Sequence, residues 1–477
     1  MGMMNSARFF DLNVERVLEH WSPAEGLREV IANALDEAAL TETADPLVEK
    51  REDGSWVVRD FGRGLQYSHL TQKENREKLR EPDRVIGKFG VGLKDGLAVF
   101  ERRKVDVLIR SRHGDINLIR ASKAGFDEIV TLQAAVSPPS DPMLVGTEVV
   151  LRGIKESDVA KAKGYFLRFG DLEVYERNSL GAVLAKMKTG PGHIYVNGLL
   201  VASEPNYLFS YDVTSTTTAL RRAMNRERTN VGRTAYSSRV KDILLACTAE
   251  PVVQLLVQDL EAISRGQGSD ETALQDVALH ACRLLQGRES VVFITAEDLM
   301  WRGAAIQHAQ LDGYRTVIVP EEIARKLPKL KDAGGNPMRD IGEYMKGFNE
   351  SFQFKWVDPS TLTEAEQAVW AIRDTLLVRA GTHAKRVKEV RISETMRLNE
   401  VAGEVTALWE AELGRVVVKR SQLRKREPFA GSLLHEIAHA SSGADHGSAS
   451  FEEALTVLLG IFGAAWVSGA RGGSGSR

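Results

Sequence analysis

The sequence predicts an α/β protein made of several domains, and three observations carry that expectation. Helical apolar spacing and short β-branched runs alternate along the chain. At about 100 to 200 residues per domain, 477 residues hold roughly three. Glycine-rich stretches punctuate the first part, and a histidine-bearing helix stands near the end. An apolar fraction of 43 % beside 27 % charged residues supplies ordinary buried cores.

Composition also excludes. A net charge of −2 gives no global reason to bind nucleic acid, so that role would need local basic patches. Cys247 and Cys282 form no disulfide framework and match no zinc spacing, which reads as thiols in a reducing compartment. "MGMMNSARFFDLNVERVLEHW" lacks the apolar core of a signal peptide. The longest apolar stretch, Ala454 to Val467, falls short of the ~20 residues that span a bilayer. A cytoplasmic protein without a membrane segment is expected, and the terminal "GGSGSR" reads as a linker outside the fold.

The first element is a helix, "SPAEGLREVIANALDEAAL". Ser22 caps it, Pro23 suits its first position and Glu25 has capping-box spacing. Leu27, Val30, Ile31, Ala34, Leu35 and Ala38 form the apolar face, and Glu29, Asn33 and Asp36 share another stripe. Alone, that stripe reads as a solvated polar face. "REDGSWVVRDFGRGL" follows, an Asp53-Gly54 turn and a strand that delivers Asp60 beside Gly62 and Gly64. "VIGKFGVGLKDGL" places Gly87, Gly90 and Gly92 ahead of a helix, where backbone N–H groups can meet phosphates. "LVGTEVVLRGI" starts a strand at Gly146 and Thr147.

Those four elements, in that order, resemble the GHKL ATPases, the superfamily of gyrase B, MutL, the MORC proteins, the ninety-kilodalton heat-shock chaperone and the histidine kinases. The resemblance covers residues 10–155 and implies a Bergerat-type α/β sandwich that binds ATP and Mg²⁺. It makes Glu29 the base that activates water and Asn33 a Mg²⁺ ligand. Asp60 would accept the adenine amino group, with Thr147 in support and Gly62 and Gly64 shaping the floor. Gly87, Lys88, Gly90, Val91 and Gly92 would form a lid over the phosphates, and Lys88 and Lys94 would contact them. Glu29 favours hydrolysis over phosphotransfer to histidine, since histidine kinases need no hydrolytic water. Positioning and electrostatics then carry the chemistry.

Residues 156–265 read as a second, α+β domain, transducer-like by the same resemblance. "HIYVNGLLVASEP" predicts a hairpin turning at Asn197-Gly198. The run from Arg221 to Lys241 adds Arg222, Arg226, Arg228, Arg233 and Arg239 against one acid, Glu227. The resemblance would send Arg226 or Arg228 to the terminal phosphate; a solvated basic face or a nucleic-acid backbone patch are the other readings. A Gly/Ser/Asp-rich linker is expected near residues 265–270. Residues 270–345 read as a small βαβ-like unit of unreadable role. "TEAEQAVWAIRDTLLVRA" then predicts an amphipathic helix.

The last segment, 360–470, carries the second chemistry. A strand is expected at Val416 to Val418, then a helix, "SLLHEIAHA". His435 and His439 stand four apart on one helical face, the spacing that holds one Zn²⁺, with Glu436 placed to polarise its water. The alternative is a satisfied histidine pair with no metal. Gly443 ends the helix so that the chain can return with a third ligand. Ser450 and Glu453 have capping-box spacing, which points to Glu452 as that ligand, ahead of Asp445 and then His446. The pattern resembles the zincin metallopeptidases over residues 410–460, in an α+β domain where a substrate peptide would add alongside the strand before the helix.

Together these readings imply an ATPase whose nucleotide state gates a zinc peptidase acting on a protein substrate. By the first resemblance it would be an ATP-linked homodimer in which the first twenty residues cross between subunits. The alternative is an ATP-driven clamp or scaffold on DNA or a protein partner, its zinc purely structural and held by both Asp445 and Glu452.

Overall fold

A computed structural model describes residues 8–12, 18–71, 75–81, 83–87, 92–123, 126–224, 231–263, 265–399 and 403–471. It is a multidomain α/β protein that divides into two compact units, residues 1–259 with 267–281 and residues 260–266 with 282–477. Among the described residues no helix is long and apolar enough to cross a membrane. Cys247 and Cys282 are buried and form no disulfide, and burial pushes the Cys282 thiol up to about 12. Part of the first twenty residues, expected to cross between subunits, lies outside the described set.

The first unit opens on a seven-stranded antiparallel sheet. In spatial order its strands are Arg8–Asp11, Phe126–Ser137, Gly114–Lys123, Asp106–Ser111, Thr147–Arg152, Trp56–Arg59 and Leu47–Lys50. The Asp53-Gly54 turn joins the last two as expected, and Asp60 follows directly on Trp56–Arg59. The helices Pro23–Thr41 and Gly92–Arg102 pack into its core through Leu27, Ile31, Leu97 and Phe100, all fully buried. They cross where Gly26 meets Gly96: a Cβ on Gly96 would sit 2.8 Å from the Gly26 carbonyl oxygen. Only glycine admits that approach. At the start of the first helix the Ser22 N–H donates to Glu25 Oε2 at 2.8 Å, the backbone half of the expected capping box.

A five-stranded sheet follows, ordered Leu199–Glu204, Gly192–Val196, Ser210–Val213, Gly181–Leu184 and Val174–Arg177. Its hairpin turns at Asn197 and Gly198, as predicted. The Gly/Ser-rich stretch near residue 268 is pinned to this sheet. Asn206 Nδ2 donates to the Gly268 carbonyl at 3.1 Å, and Glu271 accepts the Leu208 N–H and the Tyr211 hydroxyl, each at 2.9 Å.

In the second unit Val291–Ile294 and Arg315–Ile318 pair in parallel, joined by the helices Ala296–Trp301 and Gly303–Leu311, which is the βαβ-like pattern expected. A four-stranded sheet comes next, ordered Trp356–Val357, Glu389–Ser393, Arg415–Lys419 and Ala407–Glu410. The expected amphipathic helix is two segments, Glu364–Trp370 and Ile372–Ala380, meeting at Ala371. The strand before the histidine helix corrects one expectation. Arg415–Lys419 is internal, parallel to Glu389–Ser393 and antiparallel to Ala407–Glu410, so no peptide can add beside it. Val416, Val417 and Val418 are fully buried, as a β-branched run inside a sheet should be. The strands at the two edges are Trp356–Val357 and Ala407–Glu410, and the latter is the neighbour of Arg415–Lys419.

Candidate functional site

Two sets of side chains converge, one in each unit. In the first, a cavity of about 650 Å³ is lined by Asn33, Asp60, Gly64, Leu65, Lys78 and Thr147, among others. That volume is typical of a small-molecule site. The floor is built by Asp60, whose Oδ1 accepts the Gly62 N–H at 2.9 Å and the Thr147 N–H at 3.2 Å. Thr147 Oγ1 accepts the Leu65 N–H at 2.9 Å, which ties the two chain segments together. Burial raises the Asp60 carboxyl against those donors. Gly62 is packed beneath Glu37, whose Cγ would lie 2.4 Å from an added Cβ.

Glu29 is buried and does not line this cavity; its Oε1 accepts Arg28 Nε at 3.1 Å and Nη2 at 3.0 Å. Arg28, itself buried, lies over the rings of Trp21 and Tyr165, 4.9 and 5.4 Å from their centroids. Asn33 faces the cavity, with Nδ2 donating to the Glu29 carbonyl at 2.7 Å and Oδ1 accepting Lys78 Nζ at 3.2 Å. Lys78 also pairs with Asp36 at 2.6 Å. An ammonium therefore stands against the two side chains best suited to a metal cation, and sequence reasoning missed it. Lys78 lies in "KENREKLREP", a charged run that looks like ordinary surface.

Asp36 shares the polar stripe of the first helix with Asn33. It is buried and accepts the backbone N–H groups of Ile86 and Gly87, so it anchors the start of the glycine loop. The Gly87 N–H is thus already engaged. Lys88, Gly90 and Val91 lie outside the described residues, as do Arg226 and Arg228. Gly92 begins a helix, and Lys94 is buried within it. The segment before Gly87 is gripped by the five-stranded sheet's segment of the chain. Asn197 Nδ2 donates to the Val85 carbonyl at 2.9 Å, and Asp83 Oδ1 accepts Thr216 N–H at 3.0 Å and Oγ1–H at 2.7 Å. A second cavity of about 440 Å³ opens here, lined by Lys78 and Gly87 on one side and by Arg221 and Arg222 on the other.

In the second unit the helix Arg426–Ser442 carries His435, Glu436 and His439 and ends at Gly443, at φ 68° and ψ 22°. That left-handed cap, natural to glycine, turns the chain back at once. Three residues later His446 arrives, its Nε2 lying 2.7 Å from His435 Nε2 and 3.1 Å from His439 Nε2. These three histidines offer nitrogen atoms that all lie within 4.8 Å of one another. His446 therefore replaces Glu452 in the expected set. Glu452 is exposed in the first turn of the helix Ala449–Arg471, and neither it nor Asp445 belongs to the group. The misplacement has a local cause: Ser448, not Ser450, caps that helix, its Oγ accepting the Phe451 N–H at 3.3 Å.

The donor set suits zinc. Imidazole nitrogens at about 2.0–2.1 Å from a tetrahedral ion lie ~3.3 Å apart, close to what these rings already adopt. The His439 Nδ1 is held 2.8 Å from the Ala444 carbonyl oxygen, the kind of partner that fixes a ligand's tautomer. Burial and the neighbouring histidines lower the proton affinity of His435, and burial lowers that of His439, which favours the neutral ligand form. Glu436 is buried, and that burial pushes its carboxyl up to about 7 despite a hydrogen bond from the Trp409 backbone. Trp409 lies on the edge strand Ala407–Glu410, so the acid, the ligands and a sheet edge meet in one place. Beneath them Phe451 is buried against all three imidazoles.

Similarity to known proteins covers parts of the chain, and the matched family model lies in the first unit. The family model described as Mycoplasma pneumoniae MPN635 N-terminal domain matches residues 157–250, the stretch that contains the five-stranded sheet. An uncharacterized protein of Mycoplasma pneumoniae is 34 % identical over 241 residues, which cover 50 % of this chain and 96 % of that relative. A second uncharacterized protein of the same organism is 30 % identical over 110 residues, 23 % of this chain and 31 % of the relative, so this chain spans under a third of its length. With nearly the whole of the first relative matched at that identity, this chain belongs to the family of that Mycoplasma pneumoniae protein.

Proposed function

We propose that this protein binds and hydrolyses ATP in the manner of the GHKL ATPases and that its nucleotide state governs a zinc-dependent peptidase in its second unit. The nucleotide half of this reading is supported by one cavity that gathers Asn33, Asp60, Gly64 and Thr147 from three separate stretches of sequence. In it, Asp60 is fixed by the backbone donors of Gly62 and Thr147 on Oδ1, and its carboxylate would accept an exocyclic amino group. Asn33 would turn its oxygen from Lys78 to Mg²⁺, while the Lys78 ammonium, still paired with Asp36, would lend its charge to the phosphates. Glu29 would have to share or leave Arg28 to take a proton from water.

The observation that carries the peptidase half is the convergence of His435, His439 and His446 without a fourth His, Cys, Asp or Glu among the described residues. A structural zinc fills its fourth position with protein, whereas a catalytic one keeps it open. A zinc ion held there would polarise a water molecule in that position. Glu436 would hold the proton at its carboxylate and pass it to the leaving amine. The strand Ala407–Glu410, at the edge of its sheet, would pair with an extended substrate backbone and align its scissile bond.

The test is metal analysis of the purified chain with a peptide-cleavage screen, repeated on Glu436→Gln. We expect about one zinc per chain in both proteins and cleavage in the parent alone, reduced by at least ~100-fold in the variant, as befits loss of the general base. Equal cleavage by Glu436→Gln would remove that residue from the role. A parent that holds zinc yet cuts nothing under any nucleotide condition would leave the site structural.

A further inference from the structure

Phe451 sits where the three candidate ligands meet, on the first turn of the helix Ala449–Arg471 and almost fully buried, at 2 % exposure. Its ring stacks on His439, with centroids 4.3 Å apart and planes 27° apart. It meets His435 and His446 edge to face, at 5.1 Å and 68° and at 5.3 Å and 65°. His435 and His439 come from one helix, and His446 comes from the turn after it. One flat ring thus touches imidazoles from two different segments, and it belongs to a third.

Three imidazoles whose nitrogens converge do not stay converged unaided. Each has a χ2 torsion with broad wells, and mutual desolvation gives no reason to aim all three at one point. A flat, buried ring beneath them removes that freedom. Rotation of His439 out of its present plane would run into the Phe451 face on which it stacks, and His435 and His446 bear on the same ring edge to face. Phe451 also offers no donor atom, so a metal bound above it finds protein ligands on three sides and none from below.

We propose that Phe451 is the positioning residue of this metal site: it holds the three imidazoles in their ligating arrangement before the ion arrives and bars a further ligand from beneath. The proposal rests on the zinc-site reading above. It goes beyond that reading in assigning the geometry of the site to a core side chain that packs on all three ligands and offers the ion no donor atom. Packing at this position is shape-specific, so leucine, nearly as apolar but not planar, is the informative replacement.

The experiment compares the full-length parent with Phe451→Leu and with Phe429→Leu. Phe429 is also fully buried in this unit's core, where its ring meets Trp370 at 5.8 Å, and serves as the stability control. Zinc affinity is measured by competition with a chromogenic chelator, and the site's geometry by the visible spectrum of the Co²⁺-substituted protein. Thermal melting of the metal-free proteins reports folding. Phe451→Leu should weaken zinc binding by about 10- to 100-fold, the usual range for losing a residue that orients ligands. Its Co²⁺ spectrum should lose the intensity of a four-coordinate site. Phe429→Leu should lower the melting temperature of the metal-free protein while keeping parental affinity and spectrum. The proposal fails if Phe451→Leu binds zinc as the parent does with the same Co²⁺ spectrum, or if Phe429→Leu weakens binding equally. A parent that binds no zinc overturns the metal-site reading itself, and the positioning role with it.

Discussion

At the residue scale, the first unit's cavity gathers Asn33, Asp60, Gly64 and Thr147, and the second unit brings three imidazoles together. Asp60, Asn33, Gly64 and Thr147 could be found because each is chemically marked and tied to a local pattern, and the cavity gathers all four. Lys78 could not, because nothing in a charged surface-like run says that its ammonium reaches Asn33 and Asp36 across the fold. The third histidine lay between these cases. Gly443 ends the histidine helix, and His446 follows it by three residues. The turn and the ligand move together because a left-handed cap sets where the returning chain can deliver a side chain. The misread helix cap at Ser450 then lent Glu452 a weight it did not deserve. Two substitutions separate roles in the cavity. Asp60→Ala should weaken binding of an ATP analogue by about 10- to 100-fold, since a charged hydrogen-bond acceptor contributes roughly 1.5–3 kcal/mol. Glu29→Ala should leave that affinity within a few-fold and abolish turnover, because a base acts only in the transition state. Isothermal titration and a phosphate-release assay measure the two, and parental affinity in Asp60→Ala would remove it from the floor of the site.

At the element scale, the elements with strong local signals came through: the capped first helix, the Asp53-Gly54 and Asn197-Gly198 hairpins and the histidine helix. What the sequence could not convey was which strand lies at an edge, because that depends on partners far along the chain. "RVVVK" reads alike whether paired on one side or two, and only the position of Ala407–Glu410 shows that it is internal. The crossing of the first helix with Gly92–Arg102 was equally hidden. Gly26 and Gly96 look like weak points in two helices, yet they set how closely those helices approach. Gly96→Ala should therefore destabilise the protein by about 1–3 kcal/mol, the usual cost of forcing a methyl group into a packed interface. Gly463, in the helix Ala449–Arg471, has nothing within 4 Å of an added Cβ. There alanine should be neutral or stabilising by roughly 0.5–1 kcal/mol, since it removes glycine's entropy in a helix. Urea unfolding of both variants decides the matter: similar effects would mean that the helix crossing does not depend on Gly96.

At the scale of the whole molecule, the proposal turns on whether occupancy of the cavity is felt beyond it. Within the first unit the route is concrete. Asp36 lies on the same helix as Asn33 and holds the N–H groups of Ile86 and Gly87, while Val85 and Asp83, just before them, are held by Asn197 and Thr216. A nucleotide that moved the glycine loop would pull on these bonds and so on the segment matched by the family model. We expect that pull to bias the peptidase site between a covered and an open state. Shifting such an equilibrium from about 1:99 to 99:1 needs roughly 5.5 kcal/mol of differential binding, more than one contact supplies but within reach of loop closure joined to ATP-linked dimerisation. Cleavage of a fluorogenic peptide library would be compared with and without a non-hydrolysable ATP analogue in three proteins, with sedimentation run in parallel. The parent should change both its cleavage rate and its mass on adding the analogue. Asp60→Ala should retain zinc and respond in neither. Asp83→Ala, which removes the acceptor for both Thr216 donors, should bind the analogue within a few-fold of the parent and yet lose the cleavage response. If Asp60→Ala cleaves at the parental rate with the parental response to nucleotide, the two sites are independent and the gating proposal is wrong.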